Sequence, residues 1–371
     1  MSYPELNVPI RILLGPGPSM VHPRVLRSMA TPLIGHLDPA FFQLMGEVQG
    51  LLRYTFKTTN LFTMALAGTG SAGMEASLAN FVEPGDPVLI CVNGYFSERM
   101  YEMAKRYGAD VKRLEKPWGE IFSPDEVEKA VKEHRPKLVA IVHAETSTGA
   151  LQPLEGLADV VHQHDALLLV DAVTSLGGTR LLVDEWDLDI VYSATQKALN
   201  APPGLAPITL SERAVEVLKA RKTPVTTWYL DLQLIGQYWG IERAYHHTAP
   251  ISMIYALREA LRLVEEEGLE RRWRRHERAA QTLWDGLEAL GLELYIPPEY
   301  RLPTLTTVKV PPDVNERMVR RHLLEDYNVE IAGGLGALKG RVWRIGLMGF
   351  SARKENVLML LAALEDILKR K

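Results

Sequence analysis

Between about Leu61 and Ser211 short apolar runs alternate with helical patterns, and this alternation constrains the fold of the 371-residue chain more than any other feature. The spacing predicts strands at 61–67, 87–93, 109–114, 137–143, 166–171, 190–195 and 206–210, with helices at 71–82, 96–107, 124–134 and 154–164 between them. Strands and helices in this order form a largely parallel sheet covered on both faces. The expected class is therefore α/β, a mainly parallel seven-stranded sheet with helices on both faces and a small C-terminal α+β unit. That unit is read from a long helical periodicity over 250–290, strand-like runs at 303–310, 329–331 and 342–346, and an amphipathic helix from Lys354 to about Leu368. Two domains suit this length, and the expected division is an N-terminal arm at 1–14, a large domain at 15–255 and a small domain at 256–371.

With 47% hydrophobic and 24% charged residues, the composition is that of an ordinary globular protein. A net charge of −4 gives no electrostatic reason to expect a nucleic acid or a membrane as partner. The one basic cluster, Glu270 to Arg278, is interrupted by acids and falls in a helical pattern, so a solvated helix face is expected. The lone cysteine, Cys91, excludes an intrachain disulfide and any multi-cysteine metal site. The first residues lack a signal-peptide pattern, no apolar run has the length of a membrane span, and the last residues are not a peroxisomal tripeptide. A cytoplasmic protein is expected.

Two charged residues close apolar runs of the sheet. Asp171 ends Leu167-Leu168-Leu169-Val170, and Lys197 follows Ile190-Val191-Tyr192-Ser193-Ala194-Thr195-Gln196. A buried acid or amine is costly unless it is paired or used, and ligands of parallel sheets gather at the carboxyl ends of strands. Pyridoxal phosphate needs both groups, a lysine for its aldehyde and an acid for its ring nitrogen. Alone, Asp171 could equally cap a turn at Thr174 or Ser175, and Lys197 could be a surface lysine. Gly68-Thr69-Gly70-Ser71-Ala72-Gly73 matches G-x-G-x-x-G between a strand and a helix. A dinucleotide site also needs an acid closing the next strand, which ends instead in Asn93-Gly94. The loop therefore reads as a phosphate site on a helix N-terminus or as a bare turn. Phe96 suits a flat ring or the core, and Arg344, mid-strand, suits a carboxylate or an internal ion pair.

Longer stretches carry a resemblance. Leu14 to Ser19, Leu168 to Gly178, Ser193 to Gly204, Tyr245 to Thr248, Gly333 to Gly336 and Arg344 to Leu347 resemble the class V aminotransferases, fold-type I pyridoxal phosphate enzymes, and within them the alanine–glyoxylate and serine–pyruvate type. The resemblance implies that Lys197 condenses with the cofactor aldehyde and that Asp171 partners the ring nitrogen. It implies that Thr69, Gly70, Ser71 and Gln196 hold the phosphate, that Phe96 and Val173 sandwich the ring, and that Thr146 approaches the ring hydroxyl and the substrate. Arg344 would take the substrate carboxylate. Tyr245 and Thr248 would reach the phosphate of a neighbouring subunit, which implies a homodimer with shared sites. The expected reaction moves an amino group from a small amino acid, alanine or serine, to glyoxylate or pyruvate. Phe96 stands where the relatives usually have Trp, and Ser71 where animal members tend to have His. The alternatives are a 2-aminoethylphosphonate or phosphoserine transaminase, or a related lyase or desulfurase. A desulfurase would need a reactive cysteine, and Cys91 is expected to be buried in a strand. Further off are an NAD-dependent oxidoreductase and a non-catalytic binding protein.

Overall fold

The computed structural model describes residues 3–370. Seven strands form the main sheet, in the spatial order Phe62–Ala67, Leu205–Leu210, Ile190–Tyr192, Leu167–Asp171, Leu138–Val142, Pro87–Val92 and Asp110–Glu115. All neighbours run parallel except Leu205–Leu210, which is antiparallel to both of its partners. The central strands are buried along their whole length, as a sheet covered on both faces requires. This is the predicted α/β arrangement.

The helices begin where capping chemistry allows. Ser123 accepts from the Glu126 N–H while the Glu126 carboxylate accepts from the Ser123 N–H, and Pro124 occupies the first turn of Pro124–His134. Asp38 caps Pro39–Phe56 by accepting the Ala40 N–H at 2.7 Å, with Pro39 in the first turn. The helix expected at 154–164 is shorter, Leu157–His162. It starts only after Gly156, whose φ of 76° is non-helical.

Two further differences bear on the site. The strand before Lys197 ends at Tyr192, so the lysine lies in a turn rather than at the strand's last residue. Ser193 and Thr195 still donate to Pro207 and Leu205 of the antiparallel neighbour, which carries the chain to the turn. The periodicity over 250–290 is two helices, Ile251–Glu267 and Leu269–Ala289, separated by Gly268 at φ 78°.

A second hydrophobic core lies in the C-terminal part, around a three-stranded antiparallel sheet of Leu305–Lys309, Val342–Gly346 and Ala332–Gly333. Lys354–Lys369 packs on it. Leu14 belongs to this core, and Ile12–Leu13 pairs in parallel with Val329–Glu330. The expected strand at 329–331 is cut to Val329–Glu330, and Ala332–Gly333 beyond it joins the other small sheet.

The basic run corrects one expectation. Arg271, Arg274 and Arg278 are exposed, but Arg272 and His276 are buried. Arg272 donates through Nε to Gly177 O at 2.8 Å and through Nη2 to Ala198 O at 2.6 Å, and its Nη1 pairs with Glu267 at 2.7 Å. The carbonyls after the Asp171 and Lys197 turns need donors, and a five-donor guanidinium supplies them together. Replacing Arg272 by Met should cost about 2–4 kcal/mol, because the Gly177 and Ala198 carbonyls lose their donor while Glu267 keeps Arg275. Arg274→Met should stay within about 0.5 kcal/mol. Urea denaturation of both variants measures the difference.

Candidate active site

Asp171 is the last residue of its strand and is 3% exposed. Its Oδ1 accepts the Val173 N–H at 2.8 Å and its Oδ2 the Tyr192 hydroxyl at 2.6 Å. Tyr192 sits directly opposite on the adjacent strand, so the sheet register itself delivers this donor. Burial pushes the Asp171 carboxyl up to about 6, against the two hydrogen bonds.

Lys197 points back toward the N-terminal segment, where its Nζ donates to Pro16 O. Gly17, at φ 114°, lies against the lysine stem: a Cβ there would come within 2.8 Å of Lys197 Nζ. Ser19 Oγ donates to Lys197 O at 2.7 Å and fixes the backbone. Desolvation first, and then the Arg344 charge, bring the Lys197 amine down to about 8, with Asp171 acting in the opposite sense.

The turn before helix Gly70–Phe81 enters the same region. Thr69 is the N-cap but makes no side-chain capping bond, so the first turn of the helix keeps its donors for another acceptor. Gly70 presses so closely on the segments that follow the Asp171 strand and precede Lys197 that a Cβ would come within 2.9 Å of Ala194 Cβ and 3.1 Å of Val173 Cγ2. Gln196 has a buried Oε1 without a hydrogen-bond partner. Turning its amide over places an NH2 there, the donor a phosphate oxygen needs.

Phe96 is half-buried in the first turn of helix Tyr95–Arg106. The buried Glu145 carboxylate holds that turn by accepting from the N–H groups of Phe96 at 3.3 Å and Ser97 at 3.2 Å. Ser147 Oγ donates to the same carboxylate at 2.6 Å. Thr146 is buried with its hydroxyl against that of Thr174. Arg344 donates through Nε to Gly333 O at 2.8 Å and through Nη1 to Thr146 O at 3.1 Å. Its Nη2 makes no hydrogen bond to the described residues, which leaves a fork edge for a carboxylate. The internal ion pair weighed for Arg344 is absent among the described residues.

The structure thus brings together Thr69, Gly70, Ser71, Phe96, Thr146, Asp171, Val173, Gln196, Lys197 and Arg344. Tyr245 and Thr248 stand apart, both exposed, with the Tyr245 ring beside His36 at 5.4 Å between centroids. Tyr192, Glu145 and Arg99 enter the site without having been singled out from the sequence. Arg99 donates through Nη1 to Ser71 Oγ at 3.1 Å. Cys91 is buried in a strand and its thiol is pushed up to about 12, so the one cysteine is no nucleophile. Asn93 donates to Glu120 O, and no acid occupies the ribose position of a dinucleotide site.

These donors fit pyridoxal phosphate: an acid locked at the strand end, a depressed amine beside it, an uncapped helix start and an orphaned amide. The model of the family described as aminotransferase class-V matches residues 34–356. The chain is 44% identical to the (S)-ureidoglycine–glyoxylate transaminase of Bacillus subtilis, over 99% of this chain and 92% of that protein. It is 43% identical to the alanine–glyoxylate aminotransferase of Rattus norvegicus, over 98% of this chain and 89% of that protein. The crystal structure of the alanine–glyoxylate aminotransferase from Nostoc sp. superposes with a TM-score of 0.98 at 55% identity, covering 99% of this chain and 98% of that one. Cysteine desulfurase and phosphoserine aminotransferase structures share the fold alone, at 17% and 22% identity. With its site built as this chemistry requires and the match running nearly end to end, the chain belongs to the class V aminotransferases, which work with pyridoxal phosphate.

Proposed function

We propose that this aminotransferase moves the amino group of a small monocarboxylic amino acid, alanine or serine, to glyoxylate or pyruvate. The observation that carries the reading is that Asp171 and Arg344, the latter with a free guanidinium edge, both lie close enough to act on Lys197. Glyoxylate is favoured because the two curated relatives and the Nostoc structure are all named for it. Pyridoxal phosphate, when bound, supplies an aldehyde that captures the substrate amino group and a ring that draws electrons from Cα. Asp171, fixed by Tyr192 and the Val173 N–H, keeps a proton on the ring nitrogen. Arg344 grips the substrate carboxylate and turns the Cα–H toward Lys197. The Lys197 amine, brought near neutrality, takes the Cα proton as general base and then redelivers it.

Thr69, Gly70, Ser71 and Gln196 hold the phosphate in this reading, Phe96 and Val173 cover the ring faces, and Thr146 lies at the ring hydroxyl. Tyr245 and Thr248 serve the partner of a homodimer. Their exposure supports that role.

A half-reaction panel tests the substrate. The holoenzyme is mixed with L-alanine, L-serine, (S)-ureidoglycine, L-glutamate, L-phosphoserine or 2-aminoethylphosphonate, and the cofactor absorbance is followed. Alanine or serine should convert it fastest. Conversion by the phosphorylated or phosphonate donors alone would overturn the donor class and leave the reaction type standing.

Arg344→Gln should raise KM for alanine and glyoxylate roughly 10- to 100-fold, the worth of a charge-assisted hydrogen bond. Steady-state kinetics with each substrate measure it.

The ligand-free protein should show the cost of the depressed lysine. Between about 8 and the ordinary 10.5, the unfolded chain binds a proton at Lys197 that the folded chain has lost. Stability therefore rises with pH through that window. Lys197→Met apoprotein should exceed the parent by about 2–3 kcal/mol at pH 7. That gain should fade as pH rises through the window, as read from urea denaturation at several pH values.

A further inference from the structure

A phosphate monoester brings about 1.5 to 2 negative charges at neutral pH. The side chains assigned to it, Thr69, Ser71, Gln196 and the partner-directed Tyr245 and Thr248, are all uncharged. A helix N-terminus offsets only about half a charge. Such a cradle leaves about one negative charge uncompensated beside a buried sheet edge, which is costly.

The structure places a cation there. Arg99 lies one turn into helix Tyr95–Arg106, three residues beyond Phe96, and reaches across to the helix that starts at Gly70. Its Nη1 donates to Ser71 Oγ at 3.1 Å, and its guanidinium carbon sits 5.0 Å from the Phe96 ring centroid and 5.4 Å from that of Tyr95. Flanked by two rings and a hydroxyl, it has no carboxylate partner among the described residues, whereas the neighbouring Glu98 is taken by Arg113. The bond to Ser71 occupies a lone pair of the hydroxyl oxygen and leaves its O–H free to donate. Arg99 is also close enough to act on the Lys197 and Tyr192 charges.

We infer that Arg99 is the counter-charge of the phosphate cradle, acting on the phosphate by its own charge and through the Ser71 hydroxyl that it orients. This rests on the cofactor reading of the site. The apoprotein is titrated with pyridoxal phosphate and, separately, with pyridoxal, which has the same ring and aldehyde and no phosphate. Arg99→Gln should weaken pyridoxal phosphate roughly 10- to 100-fold and leave pyridoxal within about threefold. Arg99→Lys, which keeps the charge, should recover most of the loss. An unchanged affinity for pyridoxal phosphate overturns the proposal. So does an equal loss for both ligands, which would place Arg99 under the ring platform instead. Circular dichroism checks folding; should the Gln variant fail, Arg99→Met is read against the same two outcomes. Parent protein that binds neither ligand would overturn the cofactor reading itself, and needs no variant to detect.

Discussion

A carboxylate kept dry at the end of a buried strand is the constraint around which this molecule is arranged. Taking Asp171 out of water costs several kcal/mol, and two hydrogen bonds return only part of it. The remainder shows as a carboxyl held near 6 rather than 3.8, roughly 3 kcal/mol in favour of the neutral form. A cation set against Asp171 reverses that balance, which is what a protonated ring nitrogen does. Asp171 is thus poised for a positive group, and the sheet register that places Tyr192 opposite it fixes its position.

A second buried acid organises the opposite wall. Glu145 gathers the N–H groups of Phe96, Ser97 and Ser147, so one side chain sets the helix start at Phe96 and the turn that carries Thr146. Its charge also opposes the desolvation of Arg344, which burial brings down to about 10. The Phe96 turn is therefore held by the same carboxylate whose charge acts on Arg344.

The sheet and the Asp171–Lys197 pair were legible because charge at the end of an apolar run violates the usual burial pattern. Tyr192 was not, since an aromatic between Val191 and Ser193 reads as ordinary core, and its hydroxyl matters only once strand pairing is known. Arg99, Glu145 and Arg272 stayed hidden for a related reason. Charges in helices and loops are usually solvated, and only tertiary contacts show which have been drawn inside. Gly268 broke the long helix while the apolar period ran on through both halves, so spacing alone gave no sign of it. Tyr245 and Thr248 carry no local physical signal and were named by resemblance to the family.

The N-terminal segment joins the last strand of the C-terminal sheet to the lysine. Leu14 O accepts from the Gly346 N–H at 2.7 Å, and two residues later Pro16 O receives the Lys197 amine. Contacts between such distant parts of a chain close late, after the local helices and hairpins have formed. During synthesis the sheet can assemble as soon as Leu210 has emerged, yet the lysine's surroundings wait for Val342–Gly346. From the emergence of Leu210 until Val342–Gly346 follows, a ribosome-bound chain of this protein is a folded sheet with an unfinished pocket.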